Sequence, residues 1–86
     1  GDGIVHEVRL LVERHQAPYF RRKIYHPTQQ IEEHSDGRIE VSFEVEGLDE
    51  VRSFAQSWGR GVTVLAPDEL VTLMREQARE LALRYG

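Results

Sequence analysis

The chemistry-bearing residues of this chain concentrate in one octet, Tyr19-Phe20-Arg21-Arg22-Lys23-Ile24-Tyr25-His26. On a helix, side chains four residues apart are neighbours. Tyr19 then lies beside Lys23 and Arg21 beside Tyr25, cations against aromatic faces, a pairing able to take a phosphate and a stacked base together. Arg21, Arg22, Lys23 and His26 are accordingly the candidate contacts for a ligand or a nucleic-acid strand. A second reading stays open: the same long basic side chains cover a short helix, their charges in water or paired with the acidic residues that follow.

Other chemistries fail for want of residues. The chain has no Gly-x-Ser-x-Gly elbow, no Gly-x-x-x-x-Gly-Lys loop, no His-Glu-x-x-His and no asparagine. Gly59-Arg60-Gly61 lacks the third glycine of a dinucleotide fingerprint and follows a helical stretch, so it reads as a helix stop. Histidines 6, 15, 26 and 34 share no helical face, and no metal site is expected. Glu40, Glu44 and Glu46 alternate along one strand face, which reads as solvated surface rather than an acid–base pair. With no cysteine there is no disulfide scaffold, thiolate zinc site, iron–sulfur cluster or cysteine nucleophile, and a reducing, cytoplasmic setting is the expectation. The reading is of a protein that is not an enzyme, with no catalytic residues and no cofactor.

Eighty-six residues suffice for one core, burying roughly 60–65% of the unfolded surface, but not for two. An apolar content of 40% against 30% charged residues argues for an ordinary globular fold. No apolar run approaches the roughly 18–20 residues that span a bilayer, so no membrane partner is expected. The opening Gly1-Asp2-Gly3, without methionine, reads as a cloning remnant or linker at 1–3 ahead of one domain at 4–86, excised from a longer polypeptide. The net charge of −4 conceals a segregation: no acid occurs from Arg14 to Ile31, whereas eight acids face a lone Arg38 between Glu32 and Glu50. An acidic chain of this kind would not coat DNA, because non-specific affinity comes from neutralising many phosphates.

The elements that position these groups follow from hydrophobic period. Ile4 to Val12 alternates as a strand, with Val8, Leu10 and Val12 on one face. Ala17, Phe20 and Ile24 mark a short helix running to about Tyr25, which Pro27 ends. Gln29 to His34 reads as a strand, Ser35-Asp36-Gly37 as a turn, and Arg38 to Glu46 as a strictly alternating strand with Ile39, Val41, Phe43 and Val45 inward. Val51, Phe54, Ala55 and Trp58 form a helical stripe closed by Gly59. A short strand, Val62 to Leu65, precedes a long helix opened by Pro67, Asp68 and Glu69 and reaching about Tyr85. This order predicts an α+β, ferredoxin-like βαββαβ sandwich: a four-stranded antiparallel sheet, helices on one face, plus an appended C-terminal helix.

The apolar residues of that last helix spread over about half its circumference, wider than one sheet needs. Leu70, Met74, Leu81 and Tyr85 are therefore the candidate dimer or domain interface, the alternative being a helix wrapped wholly by its own domain.

Taken together, Val8-Arg9-Leu10-Leu11-Val12, Ala17-Pro18-Tyr19-Phe20, Tyr25-His26-Pro27-Thr28-Gln29, Asp36-Gly37-Arg38-Ile39-Glu40-Val41-Ser42-Phe43, Trp58-Gly59 and Val64-Leu65-Ala66-Pro67-Asp68-Glu69-Leu70 resemble, in order, the WCX domain. That module is the C-terminal extension of WYL-domain bacterial transcriptional regulators. The resemblance implies a parent protein with an N-terminal winged helix-turn-helix that binds DNA. It also implies a central WYL domain sensing a single-stranded nucleic acid or nucleotide, and an extension that supports homodimerisation and completes or modulates the effector site. Neither the DNA-reading helix nor the Trp-Tyr-Leu segment is in this sequence, and no effector-binding residue carries over. Two rivals remain: a self-contained small-molecule sensor, and an acylphosphatase-like enzyme, whose phosphate loop looks to an asparagine this chain lacks.

Overall fold

The computed structural model describes residues 3–86. In chain order the elements are β1 (His6–Val12), α1 (Ala17–Arg22), β2 (Gln30–Glu33), β3 (Ile39–Val45), α2 (Asp49–Ser57), a 3₁₀ turn (Gly59–Gly61), β4 (Val62–Ala66) and α3 (Asp68–Tyr85). The strands pair in the order β2-β3-β1-β4, every neighbour antiparallel. This is the ferredoxin-like arrangement expected from the period of the sequence, with α3 as the appended helix.

Register makes one face of the sheet continuous. Leu10 sits opposite Val41 and Val64, and Val12 opposite Ile39 and Val62, so the inward residues of three strands coincide. Ala17 and Phe20 of α1, Val51 and Ala55 of α2 and Leu70 of α3 close over them to form one core. All three helices thus cover the same face. Asp49 and Glu50 in the first turn of α2, Asp68 and Glu69 in that of α3, and Arg84 in the last turn of α3 match the helix dipole.

Several boundaries differ from the sequence expectation, each for a local reason. β1 begins at His6 rather than Ile4: its register with β3 ends at His6 opposite Val45, the last residue of β3, and Ile4 and Val5 are exposed. β2 is trimmed to Gln30–Glu33, and β4 gains Ala66 by pairing with Arg9. The largest difference is in α1, which stops at Arg22 instead of Tyr25. Lys23 is already extended (φ −133°, ψ 133°), with its N–H on the Tyr19 carbonyl. Ile24, expected on the packed face, is consequently 76% exposed.

An α3 of 18 residues is about 27 Å long, against roughly 17 Å for the five residues of β4 on which it packs. The helix therefore overruns its sheet. Leu70 is fully buried, Val71, Leu73 and Met74 are partly buried against the core, and every residue from Ala78 to Gly86 is exposed. Among the described residues no helix is long and apolar enough to cross a membrane.

Candidate functional site

The early end of α1 rearranges the basic segment. The cation over the Tyr25 ring is Lys23 rather than Arg21. Arg21 forms a fork onto Glu33 of β2, Nε to Oε2 at 2.9 Å and Nη2 to Oε1 at 2.8 Å, as in the reading that paired this segment with the acidic hairpin. Cations still lie against aromatic rings, but with different partners: the Arg22 guanidinium is 5.5 Å from the centre of the Tyr19 ring, and the Lys23 ammonium 5.0 Å from that of Tyr25. Arg22 and Lys23 are exposed and make no ion pair among the described residues, so of the four candidates they are the cations left available to an anion.

His26, the fourth candidate, pins the loop. Its ring stacks on Phe43, centroids 5.3 Å apart. Nδ1 accepts the backbone N–H of Thr28 at 3.2 Å and lies 3.0 Å from Thr28 Oγ1, which itself accepts the backbone N–H of Glu44 at 2.8 Å. A backbone N–H only donates, so this network assigns Nδ1 a lone pair and puts the ring proton on Nε2. The His-Pro-Thr step thereby fastens the loop to β3.

Two features escaped sequence reasoning. The first is Gln29, whose Nε2 donates to the carbonyls of Phe20 (3.4 Å) and Lys23 (3.3 Å) while its Oε1 accepts the N–H of Tyr25 (3.0 Å). One amide thus serves backbone groups that the end of α1 leaves open, a role with no spacing signal. The second is a five-ring cluster joining α1, the loop and α2. Phe20 lies 4.9 Å from Trp58, 5.0 Å from Tyr25 and 6.2 Å from Phe54, and Tyr19 lies 5.9 Å from Trp58 on the outside. Phe20, Phe54 and Trp58 were visible singly as helix-face residues, and Tyr19 and Tyr25 as aromatic partners of the cations, but not as one cluster.

The sheet face away from the helices corrects another expectation. Glu40 is no solvated carboxylate: its side chain is only 14% exposed and its Oε1 accepts Arg9 Nε at 2.6 Å and Arg9 Nη2 as well. His34 Nε2 stands 3.4 Å from its other oxygen. The hydrogen bonds from Arg9 hold the Glu40 carboxyl below the usual glutamate value of 4.5, Arg21 does the same to Glu33, and the Arg38 backbone N–H and guanidinium lower Asp36. A carboxyl with a depressed folded pKa contributes stability above its unfolded pKa and loses it as pH falls through the folded value. The urea midpoint should therefore hold steady above about pH 5 and decline below it. The gap between the native chain and Glu40→Gln should be widest at neutral pH and close on acidification; a pH-independent gap would rule this out.

The interface candidates separate along α3. Leu70 belongs to the domain's own core and is not available to a partner; Met74 is partly buried; Leu81 is 42% and Tyr85 83% exposed. Leu83, also exposed, lies on the opposite side of the helix from Leu81, two residues on. A family model described as the WCX domain matches residues 5–82. No curated protein matches the chain.

Proposed function

From the premise that this chain belongs to the WCX domain family, we propose that it is a non-catalytic regulatory and assembly module of a bacterial WYL-type transcriptional regulator, joining two copies of its parent through the free end of α3. The observation that carries this reading is the overrun of α3, which leaves apolar residues in water beyond the sheet. Met74, Ala78, Leu81 and Tyr85 are spaced four, three and four residues apart, a seam that packs against a like seam. In an antiparallel pair with Met74 opposite Tyr85 and Ala78 opposite Leu81, Arg75 would face Ala82 and Arg84 would face Gln77, so no like charges oppose one another. Arg22 and Lys23, which lie beside aromatic rings and make no ion pair among the described residues, are the proposed contribution to an anionic effector such as a nucleotide or single strand. Operator binding belongs to the parent's helix-turn-helix in this reading.

Sedimentation of the 86-residue chain tests it. Leu81→Glu should weaken self-association tenfold or more, while Leu83→Glu, on the other side of the helix, should leave it within a factor of two or so, about 0.4 kcal/mol. Equal effects of the two substitutions, or none from Leu81→Glu, would remove the assembly role.

A further inference from the structure

Between the His26 loop and the first turn of α2 the surface is hollowed into two adjoining cavities that share His26, Val45, Glu50 and Val51 in their walls. The inner cavity, 240 Å³, is walled by the rings of Phe20, Tyr25, Phe43 and Phe54. The outer one, 720 Å³ and open to solvent, is bordered by Glu44, Glu46, Asp49 and Glu50, with no lysine or arginine in its wall. Of these four acidic residues only Asp49 forms an ion pair among the described residues, with Arg52 at 3.8 Å, and its side chain is 91% exposed.

We propose that this groove binds a small organic cation, an ammonium or guanidinium head among the carboxylates with its apolar body among the rings. Charge complementarity selects the class. Phosphates and carboxylic acids would meet an acidic rim, and the positive end of α2 that could draw an anion is already answered by Asp49 and Glu50. A neutral apolar molecule would fill the inner cavity but leave the acidic mouth unused. Aromatic faces attract cations, and one ring of this wall, Tyr25, already holds the chain's own Lys23 ammonium 5.0 Å from its centre. The shape agrees with small-molecule sites generally, concave and mainly apolar with a few polar groups at one end. Nothing in this site depends on the exposed end of α3, so it stands or falls apart from the assembly role.

The test uses three probes with one apolar body: phenethylamine, 2-phenylethanol and phenylacetate, each titrated into the 86-residue chain. Backbone amide shifts are read at His26, Glu50 and Val51, together with the fluorescence of the single tryptophan, Trp58, which abuts the aromatic wall. Phenethylamine should shift these signals saturably, and added salt should weaken it. The alcohol should bind at least tenfold more weakly, and the acid should not bind. Glu50→Gln, at an exposed helix position, should weaken phenethylamine at least fivefold, and Glu76→Gln on α3 should not change it. Equal binding of the three probes, shifts centred elsewhere, no response up to the solubility of phenethylamine, or indifference to Glu50→Gln would overturn the proposal.

Discussion

Phe20→Ala should cost about 3–5 kcal/mol and leave the domain near the edge of unfolding at room temperature. Phe20 is 1% exposed and sits where three structures converge: α1, the loop that follows it, and α2. Its ring touches Tyr25, Phe54 and Trp58, so truncation removes the ring's own burial and also the geometry that three neighbours share. A small domain has few ways to collapse such a void, because the rings around it are anchored on separate elements. With a urea slope of about 1.5 kcal/mol per M, the midpoint should fall by roughly 2–3 M. Tyr19→Ala supplies the comparison: it removes a ring of similar size from the outside of the cluster, where Tyr19 is 52% exposed, and should cost about 1 kcal/mol or less. Similar losses for the two would mean that the aromatic cluster is surface decoration and that the core lies in the sheet alone. The result bears on function as well, since Phe20 is part of the wall of the inner cavity.

What could be read from the sequence was whatever a period of two or of 3.6 encodes. β3 shows this most fully: Ile39, Val41 and Phe43 are buried while the residues between them are not. The stripe of α2 fixes the face that packs, and the breadth of the apolar face of α3 foretold that part of it would be left over. What could not be read depends on side chains meeting across elements. α1 ends three residues early because backbone groups beyond Arg22 find a partner in the Gln29 amide, and nothing in residues 17–25 announces that. Alternation put Glu40 on the outer face correctly, but only the register shows that Arg9, opposite Ser42 and diagonal to Glu40, reaches over to cover it. Leu70 illustrates the same limit in reverse. It shares the apolar side of α3 with Met74 and Leu81, and what makes it core rather than interface is distance along the helix, one turn from β4 instead of four.

The β2–β3 turn carries the second large effect, and it is one of backbone rather than packing. The connection Ser35-Asp36-Gly37 is a three-residue loop: the Gly37 N–H bonds the His34 carbonyl at 3.1 Å and the His34 N–H bonds the Arg38 carbonyl at 2.9 Å. Such a loop needs its third residue in the left-handed region, and Gly37 has φ +89°. A Cβ there would also stand 2.5 Å from Cδ and 2.7 Å from Cγ of Arg14, so the arginine stem would have to move aside. Arg14 is exposed and flexible and can yield; the backbone strain cannot be relieved without changing the turn. Gly37→Val should therefore cost about 2–3 kcal/mol. Gly47→Val, at a loop position with ordinary φ and open space where a Cβ would stand, should change stability by only about 0.5 kcal/mol. Gly37→Asn should fall between, because asparagine tolerates this region better than other side chains. The turn also sets which residues of β2 oppose β3, and thereby keeps Glu33 within reach of Arg21. Loss of protection from exchange at the β2 amides in Gly37→Val, with β1 and β4 still protected, would show the register yielding before the core. A variant as stable as Gly47→Val would mean that the hairpin holds its register through strand pairing and owes nothing to the turn.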